Sequence, residues 1–275
     1  MSGVVHYAVS GARDQSVDFS HPMPVGVSTL TPSQMMALGR SPYPSFGFTV
    51  AKFGHNPDID TATVPEDIWA GGGVYTGFPT GAAELVEVFS SSASDTGVLS
   101  ISGLDGDYAI TTASVTLQGT TPVTIPTTLW KRMHTANYDS GNGTTFNLGT
   151  ITVRHKTTTA NVFCQMPVGT SQTQMGGYTI PAGYTGLLVR AQLLVRALIG
   201  AVSYADGFFW IRAFGASPRL RRPFSGGNGI PYMDVIDGGI QLAEKTDIIP
   251  RIIACGQNNT DVTVNYDLIV VRNAD

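Results

Sequence analysis

Charge is scarce in this sequence: Asp, Glu, Lys and Arg make up 13% of its 275 residues, against about 25% in a typical soluble domain. Much of the surface must therefore be uncharged polar or covered by a partner. The net charge of −4 leaves no cationic footprint for a phosphate backbone, which argues against nucleic acid as a partner. Cysteine is rarer still. Cys164 and Cys255 stand apart, with no Cys-x-x-Cys or Cys/His spacing near either, and read as buried free thiols behaving as small apolar residues. No stretch of 18 apolar residues occurs, and Met1 is not followed by a basic start and an unbroken apolar core. The expectation is a soluble chain made in a reducing cytoplasm, with no membrane partner. Tandem repeats and coiled-coil heptads are missing as well, which disfavours propellers and fibrous stalks.

What fills the space is Thr, Ser, Asn and 32 Gly, a composition that suits strands and tight turns and leaves little helix. Residues 1–69 carry Pro22, Pro24, Pro32, Pro42, Pro44, Pro57 and Pro65. Proline removes a ladder donor and fixes φ, so this stretch reads as an extended arm that needs another surface to lie on. Its one candidate helix runs from Thr31 to Arg40, with Pro32 at the first helical position. Beyond the glycines at 71–73 the texture changes to short alternating runs split by turn residues, the pattern of a β-sandwich. The alternation is clearest near the end, where Val262, Val264, Tyr266, Leu268 and Val270 share one parity, marking one buried and one wet face. Gly186 to Leu198 also fits a helical spacing, but its place between hairpin signals favours strand. The fold class that results is all-β: a jelly-roll or related β-sandwich over residues 70–275, preceded by an extended Pro-rich N-terminal arm.

Constellations for chemistry are thin. His6, His21, His55, His134 and His155 include no HxH or HExxH, and no Gly-x-Ser-x-Gly elbow exists, so neither a metal centre nor a hydrolase of that class has a foothold. Gly71-Gly72-Gly73 lacks the Gly-Lys-Ser/Thr ending of a phosphate loop and reads as a junction. The pairs Asp58/Asp60, Glu66/Asp67 and Asp105/Asp107 sit in turns or Pro-flanked loops, where Asp caps its own backbone; a calcium site from Asp105 and Asp107, or acid/base work on a glycan, is the lesser alternative. His155 reads as a solvated strand edge, and Arg212, Arg219, Arg221 and Arg222 as a solvated or intersubunit ion-pair face. Tyr75, Phe78, Trp130 and Trp210 could stack on a sugar, although core packing is the commoner fate of such residues. No catalytic residue, metal or cofactor is expected.

Several segments carry a resemblance. FGHNPDIDTATVPEDIWAGGGVYTGFP (Phe53 to Pro79), ELVEVFSSSASDTGVLSISGLDGDY (Glu84 to Tyr108), TLQGTTPVTI (Thr116 to Ile125) and GTITVRH (Gly149 to His155) resemble structural virion proteins of tailed bacteriophages, in particular capsid decoration or cement proteins. The marker is Asn56 to Gly73, an Asn-Pro-Asp and Val-Pro-Glu-Asp run ending in Trp69 and glycines. The resemblance implies a jelly-roll-like sandwich on the capsid exterior, usually a homotrimer, with the major capsid protein as partner. It brings no catalytic residues. On this reading the chain, made in the host cytoplasm, cements the shell, and the interface is expected at Met35, Met36, Phe46, Phe48, Phe53 and Trp69. The alternative is a head-fibre, knob or tail protein that binds a host surface glycan.

Overall fold

A computed structural model describes residues 47–140, 146–196 and 203–273. Among them the regular structure is all strand: β1 Gly47–Ile59, β2 Glu66–Asp67, β3 Glu84–Ser90, β4 Val98–Asp105, β5 Ile110–Thr116, β6 Val123–Ser140, β7 Ile151–His155, β8 Val162–Met166, β9 Tyr178–Thr179, β10 Tyr184–Arg196, β11 Tyr204–Arg212, β12 Arg219–Gly227, β13 Tyr232–Leu242, β14 Asp247–Cys255 and β15 Thr260–Arg272. Three antiparallel sheets result. The first is ordered β1-β15-β10-β13, the second β12-β11-β14-β2 with β9 also on β14, and the third β5-β4-β6-β3-β7-β8.

The first two sheets form a sandwich. From β15 the alternating Val262, Val264, Tyr266, Leu268 and Val270 point inward with Leu188, Leu193 and Val195 of β10, and they meet Phe209, Phe224, Ile248 and Ile252 of the second sheet. The helical spacing of β10 is thus overridden, because its alternate residues must fill one face of a sheet paired on both sides. A second core lies against the six-stranded sheet, where Val86, Val88, Leu99, Ile101, Trp130, Val153 and Phe163 gather. Its lid comes from outside that sheet: Trp69, Tyr75 and Phe78 from the loop after β2, Met175, and Ile249 of β14. Strand β14 therefore serves both cores, Ile248 and Ile252 facing one and Ile249 the other. Its run DIIPRIIAC is apolar on both parities for that reason.

The expected arm differs from what is found over residues 47–69. Strand β1 pairs with β15 from Gly47↔Val271 to Ile59↔Thr260, and Ile59 and Ile68 are fully buried in the sandwich core. The prolines misled because Pro57 sits where the β1–β15 register shifts, between Asn56 and Ile59, and Pro65 follows the turn beyond it. Both punctuate strands that exist and do not mark their absence. The remaining prolines and the candidate helix Thr31 to Arg40 lie outside the described residues. Gly54 of β1 shows how closely this strand is held. A Cβ there would come within 2.6 Å of both Ile68 O and Gly176 N, so no side chain fits.

Candidate functional site

The segment that marks the resemblance folds as a clasp. Asn56 Nδ2 donates to Glu66 Oε2 and to the Asp67 carbonyl, both at 3.2 Å, and Glu66 Oε2 also accepts from Gly73 N at 2.9 Å. Asp67 accepts from Tyr75 N at 2.8 Å and takes a two-pronged contact from Arg251, 2.7 and 2.8 Å. Burial pushes the Asp67 carboxyl upward, and the Arg251 guanidinium opposes that push. Every acidic group of the marker run that is buried is thus engaged in closing the chain on itself.

A second polar knot joins the sheets. Asp247, at the start of β14, accepts from Arg132 Nε (2.7 Å) and Nη2 (3.1 Å), from Arg212 Nε (3.0 Å) and Nη2 (2.6 Å), and from Thr179 Oγ1 (2.7 Å). The arginines reach on to the carbonyls of Pro79 and Phe78. Trp210 packs parallel to Phe78 with ring centroids 6.1 Å apart, and the guanidinium groups of Arg212 and Arg251 lie against its ring. The Asp247 carboxylate is thus fixed by two arginines and a threonine at a sheet junction. Arg212 consequently does not group with Arg219, Arg221 and Arg222, which are exposed on β12.

Between β1 and β6 lies a group of buried titratable side chains. Lys52 Nζ donates to the His134 carbonyl at 2.6 Å, and burial lowers its pKa to about 7. Burial, then the neighbouring Lys52, push His134 down to about 3, so the ring is neutral and its Nε2–H donates to Thr179 O at 3.0 Å. The Cys164 thiol is pushed up to about 12 by burial, which leaves it protonated and unreactive. His155 differs from its expected place: with β8 paired beside its strand and the Phe163 ring edge-on to it, it is fully buried, with Nε2 3.1 Å from Trp130 O and Nδ1 3.1 Å from Asn161 Nδ2. No cluster of three or more His, Cys, Asp or Glu able to hold a metal ion occurs among the described residues. Asp105 caps its own turn, accepting from Asp107 N and Ala109 N.

Large apolar side chains stand exposed at several places on the surface, among them Phe214, Val168 and Leu220. Strand β13 turns Met233 and Val235 outward at 60% and 56% exposure, and Ile230 stands at 69% in the turn before it. On the third sheet a shallow depression of about 540 Å³ is lined by Ser100, Ser102, Thr112, Ser114, Thr135 and Asn137 together with Ile101 and Ala113, mostly small hydroxyls with one amide.

Of the residues expected at an interface, Phe48 packs edge-on to Tyr184, centroids 5.6 Å apart, at the margin of the sandwich core. Phe53 is half-buried opposite Asn265. Trp69 is buried in the second core, edge-on to Tyr75 at 5.2 Å, with Nε1–H donating to Gly73 O. It fills the chain's own interior because the clasp turns it inward. Met35, Met36 and Phe46 lie outside the described residues. Tyr75, Phe78 and Trp130 are buried and offer no sugar-stacking platform. Met233 and Val235 share one face of β13, and with Asp234 on the other parity the sequence alone would point that face inward, whereas the structure turns it to solvent.

These features define an all-β protein with two apolar cores joined by buried polar contacts. No family model matches the sequence, and no curated protein matches it. Among solved structures the chain is similar to the VP2 subviral particle of infectious bursal disease virus, at 9% identity over 85% of this chain and 74% of that one, with a TM-score of 0.23. It is similar also to the Gx strain of that virus, at 8% identity over 83% and 73%, TM-score 0.23. Overlap at that level does not establish a shared fold.

Proposed function

We propose that the protein is a structural component of a virion that decorates and cements the capsid exterior of a tailed bacteriophage, acting as a homotrimer against the major capsid protein. The observation that carries this reading is the pair Met233 and Val235 turned outward on one face of the edge strand β13, with Ile230 exposed just before it, on a chain with so little charge. Exposed apolar clusters of this kind mark protein contacts. The resemblance of Asn56 to Gly73 to phage virion proteins supports it, and that run is spent on architecture. Cementing would work by apolar burial between shell subunits, at about 25 cal/mol per Å² before association costs, multiplied by the symmetry of the shell. Residues 1–46, with Met35, Met36 and Phe46, would add a second attachment.

A second reading, binding of a host glycan, is favoured by the hydroxyl-lined depression on the third sheet. That lining lacks the aromatic platform that sugar rings stack on. Co-sedimentation with shells lacking this protein decides between the two. The cement reading expects saturable binding of the wild-type chain, weakened at least tenfold by Met233→Lys with Val235→Lys. Absence of shell binding, together with retention on host polysaccharide, would replace it with the glycan reading.

A further inference from the structure

Sheet edges are a hazard that folded proteins guard with charge, proline or a covering loop, and the edges of this molecule are guarded unequally. At one end of the third sheet, β8 is covered: Val162 N donates to Thr76 Oγ1 at 3.0 Å and Phe163 O accepts from Tyr75 OH at 2.8 Å. At the edge of the second sheet, β12 carries exposed Arg219, Arg221 and Arg222 and then Pro223. Strand β5, at the other end of the third sheet, has the sequence ITTASVT. It has no charge, no proline and no glycine, its residues are β-prone, and no strand lies on its outer side among the described residues.

The ladder to β4 shows which groups this edge offers. It is bracketed by Leu117 N donating to Gly97 O at 2.9 Å and Asp105 N donating to Ala109 O at 3.0 Å. Bonded and non-bonded pairs alternate in an antiparallel ladder, so Val115, Ala113 and Thr111 bond to Leu99, Ile101 and Gly103 opposite them. The backbone N–H and C=O of Ile110, Thr112, Ser114 and Thr116 therefore point away from the sheet. We propose that this free edge of β5 pairs antiparallel with the β5 of a second copy across a two-fold axis, fusing two six-stranded sheets into one.

The strand is self-complementary in the register centred on Ala113. Thr112 then faces Ser114 and Ile110 faces Thr116, all groups with outward backbone donors and acceptors, while Thr111 faces Val115 on the inner side. Side chains keep their faces, no like charges meet, and the hydroxyl field of Ser100, Ser102, Thr112 and Ser114 continues from one copy into the next. Such a contact is isologous and closes on itself. It is independent of the capsid reading, to which it would add a link between neighbouring oligomers.

The test uses the full chain with Thr112→Pro and, separately, Ser114→Lys. The outward N–H of Thr112 has no role in the β4 ladder, so proline there blocks the new pairing and leaves the fold, and lysine at 114 guards the edge by charge. Sedimentation velocity is expected to show wild-type particles at twice the mass of those formed by either variant, with unchanged circular dichroism. Hydrogen exchange at the Thr112 and Ser114 amides should be slowed at least tenfold in the wild type relative to Ser114→Lys at the shared Thr112 amide. An assembly unchanged by both variants, a monomeric wild type, or fast exchange at those amides overturns the pairing. So does loss of assembly on removing residues 1–44 when both β5 variants assemble normally, which would assign the contact to the segment ahead of β1.

Discussion

The sandwich core is walled by sheet on both sides, whereas the second core has the six-stranded sheet on one side and a lid of Trp69, Tyr75, Phe78, Met175 and Ile249 on the other. The same kinds of apolar side chain fill both. In the first, periodic strands meet periodic strands, and each inward residue is specified by the pleat. In the second, a non-periodic loop must be pinned before it can cover anything, and the pins are polar: Glu66 and Asp67 hold the loop after β2, and Asp247 with Arg132 and Arg212 holds Phe78 and Pro79. Burial of charge is what a loop-walled core requires, since a sheet supplies its own backbone partners and a loop does not.

That contrast can be broken most severely at Asp247. Asp247→Ala leaves two arginines facing each other in a buried junction without their carboxylate, and the expected loss is about 3–5 kcal/mol, read as a fall in the denaturation midpoint with urea. If the polar knot is what holds the lid, tryptophan fluorescence from Trp69 and Trp210 should change at lower urea than far-ultraviolet circular dichroism does. Coincident transitions shifted by under 1 kcal/mol would mean that the knot does not hold it.

Next in size is a pair of truncations that compares the cores directly. Trp130→Ala and Phe209→Ala each empty a fully buried site, at about 3–5 kcal/mol each. Because β14 and β11 belong to both cores, the two variants should each unfold in one transition. Two resolved calorimetric peaks in either variant would show that the cores are separable.

The smallest effect is a pH dependence at Lys52. Its amine titrates near 7 in the folded chain and near 10.4 when unfolded, so between these values the unfolded chain binds more protons and stability rises with pH. Below 7 both states are protonated and the full penalty of the buried charge stands. Over pH 7–9 the wild type should therefore gain stability relative to Lys52→Met by up to about 1.4 kcal/mol per pH unit. Above 9 the Cys164 thiol, held protonated in the fold, works in the opposite direction. A difference between the two proteins that stays flat from pH 6 to 9 would remove Lys52 as its source.

Legibility followed the same division. Strand β15 and the hairpin texture after residue 84 are visible as period-2 patterns because one face of each is fully buried and the other more open, although Asp267 and Ile269 on the second face of β15 are buried too. Strand β1 was concealed by Pro57 and Pro65, whose meaning depends on where the partner's register shifts, a fact held by β15 and not by β1. The burial of Trp69 and His155 was equally hidden, since it depends on the clasp and on β8 pairing beside β7 with Phe163 against the His155 ring. The open edge of β5 could not be read at all: ITTASVT identifies a strand, but its place at the end of a sheet is set by strand order, which no local pattern encodes.

The virion reading rests on where the protein sits, and a density map of the intact particle locates it directly. The account predicts density for this chain on the outer surface of the shell, repeated at symmetry-related positions and touching the major capsid protein through the Met233 and Val235 face. Density at the tail, or none on the particle, would contradict it.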